Sequence, residues 1–366
     1  MPRPEPRRAA GAPLTALVLQ GGGALGAYQA GAYEALATRA HEVGWVAGIS
    51  IGAINAALIA GNPPARRLER LRAFWEQVSL ALPVSASGTV LEPLRGWWDD
   101  AMALWGAWRG VPGFFQPRPW WAWWPQPPAS LYDTAPLRAT LGELVDFDLL
   151  NDGPVRLSIG AVDVQSGNFA YFDNRHERIG PEHVLASGAL PPGFGAVQIG
   201  ERWYWDGGLV SNTPLRAAIN ALEPWAPDAA DVSRELIVID AFRQTAPVPE
   251  QFMDVLERTF EIIFASKLKL DLKLFHAVNG MIELMGEIDQ ALPADSPVRQ
   301  LPAYRKLLNY RHIDRLLVVS NTHNIDIGGP ADFSRAAIQQ RIELGYRDGR
   351  DTLAAAHAGK HRQNTQ

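Results

Sequence analysis

Short unbroken apolar runs alternate along the chain with longer stretches whose apolar positions recur every three or four residues. Residues 15–20, Thr-Ala-Leu-Val-Leu-Gln, form one such run ahead of a glycine cluster, the pattern of a buried strand. The Ala-, Leu- and Glu-rich residues 27–39 predict a helix, 45–49 a second strand, and 51–60 a helix of small residues suited to close packing on a sheet. Between 62 and 80, Leu68, Leu71, Phe74, Trp75 and Val78 stand at helical spacing. From 82 to 129, prolines, glycines and tryptophans break every regular period, and the stretch reads as an insertion. Alternation resumes in 155–164 and 169–172, two strands around a turn at 165–168, and further short strands are expected at 202–205, 236–240 and 316–320. Residues 250–285 hold no proline and one glycine, which predicts a helix. Within them, however, Leu268, Leu270, Leu272 and Leu274 alternate with polar residues at a strand-like period of two. Residues 333–356 predict a closing helix with Asp332 as its N-cap. No repeat of 20–50 residues is visible, and strands interleaved with helices predict an α/β fold with helices on both sides of a sheet.

Composition narrows the function. Among 366 residues, 34 Lys and Arg stand against 39 Asp and Glu, a net charge of -5, so no basic footprint for nucleic acid is present. Hydrophobic residues make up 47% and charged residues 20%, enough apolar side chain for a large core. Cysteine is absent, which excludes disulfides, thiolate metal sites and a cysteine nucleophile. The longest nearly uncharged apolar run, 47–61, is interrupted by Ser50, Gly52 and Asn55 and falls short of the ~20 apolar residues of a membrane-spanning helix. Residues 1–13 are rich in Pro and Arg without an apolar core, and read as a disordered tail of a cytoplasmic protein and not as a secretory signal. One bias stands out: 13 tryptophans, eight of them (Trp97, Trp98, Trp105, Trp108, Trp120, Trp121, Trp123 and Trp124) between 97 and 124.

Three segments carry candidate chemistry. Gly48-Ile-Ser50-Ile-Gly52 matches G-x-S-x-G, in which glycines allow a sharp strand-to-helix turn that lifts a serine hydroxyl clear of the sheet. The bare pattern arises by chance in roughly one chain in ten, but here an apolar run precedes it and a small-residue helix follows. A serine alcohol needs a base, and Asp206-Gly207-Gly208 offers a carboxylate at a strand end beside glycines that turn the backbone away. Gly21-Gly22-Gly23-Ala-Leu-Gly26 puts successive amides at a helix N-terminus, where they can hold a negative oxygen such as the oxyanion of an ester's tetrahedral intermediate. The same residues satisfy G-x-G-x-x-G, but a dinucleotide site wants an acidic residue at the end of the second strand, where Gly48-Ile-Ser50 stands.

Together with Asn212, Pro214 and the run Ala186-Ser-Gly-Ala-Leu-Pro-Pro192, these segments make the chain resemble the patatin-like phospholipases over about residues 14–242. The resemblance implies a three-layer α/β/α fold with a mostly parallel central sheet and, here, a Trp-rich insertion at about 82–129, followed by a mainly helical C-terminal extension, 243–366, packed on the catalytic domain. It further implies a metal-free, cofactor-free lipid acyl hydrolase with Ser50 as nucleophile and Asp206 as base. The amides of Gly21, Gly22, Gly23 and Ile51 would form the oxyanion hole, with Gly26, Gly48, Gly52, Gly207 and Gly208 supporting the turns. Many members carry Arg or Lys where this chain has Leu25, so the cation beside the oxyanion loop is missing from that position. Two rival readings remain at this level. One is an esterase or polyester depolymerase of the α/β-hydrolase type, its triad completed by His312 or His323; the other is a non-catalytic lipid-binding module. His41, His176, His183 and His276 lack metal-ligand spacing. In a lipase-like frame, residues 97–124 read either as packing under the insertion or as a lid or groove wall in peripheral contact with a lipid surface, since tryptophan favours water–lipid boundaries.

Overall fold

The computed structural model describes residues 13–39, 41–80, 109–125, 128–215, 233–243, 245–308, 310–321 and 329–363. Residues 1–12 of the tail, 82–108 and 126–127 of the insertion, and His323 lie outside these. Eight strands form the central sheet: β1 (Leu14–Leu19), β2 (Trp45–Ile49), β3 (Arg156–Asp163), β4 (Phe169–Asp173), β5 (Val197–Ile199), β6 (Arg202–Asp206), β7 (Arg234–Asp240) and β8 (Arg315–Ser320). β8, β7, β1, β2 and β3 are mutually parallel neighbours in that order, while β4 and β6 run antiparallel to β3 and β5 antiparallel to β6.

Every residue of β1, β2, β3 and β7 is buried, as a sheet covered on both faces requires, and this accounts for their unbroken apolar runs. Along β1 the side chains divide by parity. Leu17 and Leu19 join the cluster built by α1 (Gly26–Thr38), α2 (Ile51–Ala60) and α3 (Pro64–Gln77). Ala16 and Val18 pack on the other side with Leu268 and Phe275. Two short helices, α4 (Ala135–Leu144) and α5 (Phe147–Asp152), and α6 (Pro181–Ser187) complete the first layer's surroundings.

Residues beyond 242 are integral to this body. β8 extends the parallel sheet at β7, α7 (Phe252–Ala291) covers the second face, and after α8 (Pro302–Leu308) the closing α9 (Arg335–Gln363) packs along α1. The α1–α9 approach is so close that a Cβ on Gly31 would stand 1.9 Å from the Ile342 carbonyl oxygen, and one on Gly345 2.0 Å from that of Tyr28. Tyr28 OH donates to Asp348 across the same interface at 2.9 Å.

Two local expectations change. The period-two leucines do not mark a strand: 268 and 272 point inward while 270 and 274 point outward, because α7 is apolar on opposite faces. The closing helix begins at Arg335, and Ser334 caps it, its Oγ accepting from Ala337 N at 3.3 Å; Asp332 instead accepts from Ser334 N one turn earlier.

Candidate active site

Ser50 stands where β2 gives way to α2, with φ 55° and ψ -125°, the only non-glycine residue at positive φ among the described residues. Such a conformation is strained and persists where its surroundings over-determine it. The flanking glycines are demanded by space: a Cβ on Gly48 would meet the Gly52 carbonyl oxygen at 2.3 Å, and one on Gly52 the Leu19 carbonyl oxygen at 2.3 Å. Ser187, fully buried at the end of α6, fastens the turn. Its Oγ accepts from Ser50 N at 2.9 Å and donates to the Gly160 carbonyl at 2.7 Å.

Asp206 reaches Ser50 by register. Ile49, the last residue of β2, pairs with Gly160 on β3. Asp206 pairs with the next residue, Ala161, along the same edge, since β4 occupies the other. β2 therefore leaves β3 where β6 arrives from the opposite direction, and the serine and the aspartate meet at that junction. Asp206 lies at the C-terminal end of its own strand, as expected, but that strand runs antiparallel to β3. Its amide donates to the Ala189 carbonyl at 3.0 Å. The segment 187–189 thus holds both Ser50 and Asp206 by the backbone.

The Asp206 carboxyl is buried, and burial pushes it up to about 6 from the ordinary 3.8. Three neighbours work against that rise: the Ser50 hydroxyl, the Gly208 amide at 2.7 Å, and the charge of Lys267. Lys267 arrives from α7, its Nζ donating to the Gly208 carbonyl at 2.6 Å and the Leu209 carbonyl at 3.2 Å. Burial pulls its own ammonium down, opposed by Asp206 and by Asp271 one turn along. Burial also lifts Asp271, up to about 6.

The glycine loop lies against the same junction. A Cβ on Gly21 would stand 3.0 Å from Ser50 Cβ and 2.5 Å from Asn212 Oδ1. Gly21 N is directed at the Asn212 carbonyl at 3.4 Å, and Asn212 Nδ2 returns a bond to the Gly21 carbonyl at 3.3 Å. The Gly22 and Gly23 amides meet no acceptor among the described residues, and Ile51 N, first in α2, has no intrahelical acceptor. Gly22 and Gly23 hold φ of 156° and 55°. Gln20 ties this loop to its surroundings through Thr213 at 2.8 Å and through its carbonyl, which accepts from Gln29 at 2.7 Å. Gly26 and Gly207 sit at close approaches to Ile51 and to the Gly160 carbonyl.

His312 precedes β8, at the end of the parallel sheet opposite to Ser50, beside Asp314 and Glu283. His183 accepts from Gly180 N through Nδ1, and His41 contacts Glu235. Among the described residues no group of three or more His, Cys, Asp or Glu is clustered to hold a metal ion. The sequence left two contributors without a role. Ser187 lies inside the run 186–192, where nothing in the pattern says which residue it grips. Lys267 stands in an alternating Leu/Lys stretch 61 residues past Asp206, outside the motifs.

A sequence model of a family described as patatin-like phospholipase matches residues 17–219. No curated protein sequence matches. Solved structures of similar shape include VipD from Legionella pneumophila, at 13% identity over 97% of this chain and 71% of that one, TM-score 0.39. Human GIVD cytosolic phospholipase A2 is similar at 12% identity over 96% of this chain and 60% of that one, TM-score 0.48. The type III effector protein ExoU is similar at 13% identity over 94% of this chain and 53% of that one, TM-score 0.35. The chain thus spans less than two thirds of the latter two.

Proposed function

Because this chain belongs to the patatin-like phospholipase family, a family of lipid acyl hydrolases, we propose that it cleaves lipid acyl esters with a Ser50/Asp206 dyad through an acyl-enzyme. The observation that carries this reading is the meeting of a strained, partly accessible Ser50 with the buried Asp206 carboxyl, whose ionised form the Ser50 hydroxyl favours. In the first step Ser50 Oγ attacks the ester carbonyl while Asp206 takes its proton, and the alcohol leaves with a proton returned from Asp206. In the second, water gives its proton to Asp206 as it attacks the acyl-enzyme, and the fatty acid departs as Ser50 recovers a proton. The amides of Gly22, Gly23 and Ile51 are the donors we assign to the oxyanion; such a donor contributes about 3–4 kcal/mol to the transition state. Gly21 supplies space beside Ser50 and no donor of its own.

The test is release of fatty acid from a soluble p-nitrophenyl ester. S50A and D206N should each lower kcat by a factor of about 10^4 or more, and near-normal turnover by either protein would refute the dyad. H323A should leave turnover within about twofold; a loss comparable to S50A in folded protein would favour a triad instead. No helix among the described residues is long and apolar enough to cross a membrane. Trp120 and Trp124, 81% and 82% exposed, support docking at a lipid surface by this edge of the insertion.

A further inference from the structure

The outer face of α7 has no neighbour among the described residues. Opposite the buried Leu268 and Phe275, the side chains of Leu270, Leu274, Met281, Leu284 and Ile288 are exposed, Leu270 and Met281 each to 65%. With the exposed Ala277 they recur from 270 to 288 in steps of 4, 3, 4, 3 and 4, the alternating spacing of a coiled-coil seam, which keeps all six on one face of the helix. The stripe is about 27 Å long at 1.5 Å per residue.

We propose that this face of α7 pairs with the same face of a second copy of the chain, antiparallel, about a two-fold axis near residue 279. That register packs Leu270 against Ile288, Leu274 against Leu284 and Ala277 against Met281, each contact made twice, as an isologous interface requires. It also brings Lys273 of each copy beside Glu287 of the other, in flanking positions that set orientation in paired helices. Both residues are exposed, and neither has an ion-pair partner among the described residues. Parallel pairing would set Lys267 against its own counterpart at a seam position and would give Lys273 no anion. Gly280, where an added Cβ would meet nothing within 4 Å, leaves the backbones room to approach beside the axis. A lipid occupant is disfavoured by charge: residues 276–291 include Glu283, Glu287 and Asp289 and no Lys or Arg, the reverse of a helix that seats on an anionic membrane. The proposal is independent of the catalytic reading, because none of these residues is part of the dyad or its loops.

Sedimentation equilibrium of the full chain should show a dimer, and M281D/L284D should be a monomer with unchanged circular dichroism and unchanged turnover of a soluble ester. K273E alone should weaken the dimer about fivefold, and adding E287K should restore it. The chain has no cysteine, so introduced thiols report register. L274C and L284C proteins mixed under mild oxidation should cross-link, and either alone should not. Cross-linking of each alone would replace the antiparallel pairing with a parallel one and overturn the register. A monomer at all concentrations would overturn the dimer, and if phosphatidylcholine–phosphatidylglycerol vesicles then bind the native chain but not M281D/L284D, the occupant is lipid.

Discussion

At the scale of single residues, the site turns on one buried carboxyl. As the base of the proposed dyad, Asp206 must be ionised to accept a proton, so kcat/KM should rise with pH through about 6 and then level. Lys267 favours the ionised form. In K267M the acidic limb should move to higher pH, while the plateau falls by less than about tenfold; an unmoved limb would separate the lysine from the titration. The same shift weighs on folding. The folded state holds this proton more tightly than the unfolded chain, so stability is lost as pH rises from about 4 through about 6, by on the order of 3 kcal/mol once titration is complete. D206N removes that cost, so calorimetry should find it melting a few degrees above the native protein at pH 8 and level with it at pH 4. That Ser50, Asp206 and the glycine loop belong to one candidate site was legible in the sequence because the chemistry proposed for them needs particular residues at fixed local spacing. Ser187 and Lys267 were not, because each acts on a partner distant in the chain, and only the fold decides which.

At the scale of elements, the apolar runs and periods located β1 to β4, β6 to β8 and the longer helices, whereas α4, α5, α6, α8 and β5 span too few residues to show a period and were not expected. α7 broke the rule by being apolar on opposite faces, which places leucines two residues apart about 200° around a helix and so imitates a strand. The closing helix was expected, but its contact with α1 rests on glycines, which leave no periodic signal. At Gly345 two effects compete. Alanine is favoured over glycine in a helix by about 1 kcal/mol, whereas its Cβ would stand 2.0 Å from the Tyr28 carbonyl oxygen. Backbone cannot yield as a side chain does, and overpacking of this kind costs about 1–3 kcal/mol or more. G345A should therefore lower the melting temperature, while G142A, in α4 with nothing within 4 Å of its added Cβ, should raise it slightly. Stabilisation by G345A would mean that α9 sits farther from α1 than described.

At the scale of the whole molecule, the resemblance stops near residue 242 but the sheet does not. β7 is buried along its whole length, and β8 covers its outer edge while α7 covers one of its faces. Cutting the chain after 242 would expose that strand as an apolar edge, a template for aggregation. A 1–242 fragment is expected in the insoluble fraction; soluble, cooperative folding of that fragment would make it an independent unit and refute this dependence. The sequence displayed β8 as one more apolar run, without saying which neighbour it would join.

The junction on β3 has a consequence for how the enzyme comes into being. The proposed nucleophile and base are separated by 155 intervening residues, yet Ile49, immediately before Ser50, pairs with Gly160, and Asp206 pairs with the next residue of the same strand, Ala161. Neither helix formation nor collapse can produce a working centre until that long loop has closed in the right register, a step slow by its topology. Turnover is therefore the last signal to return when the chain refolds, and it works as a gauge, one residue fine, of whether the sheet has been assembled correctly.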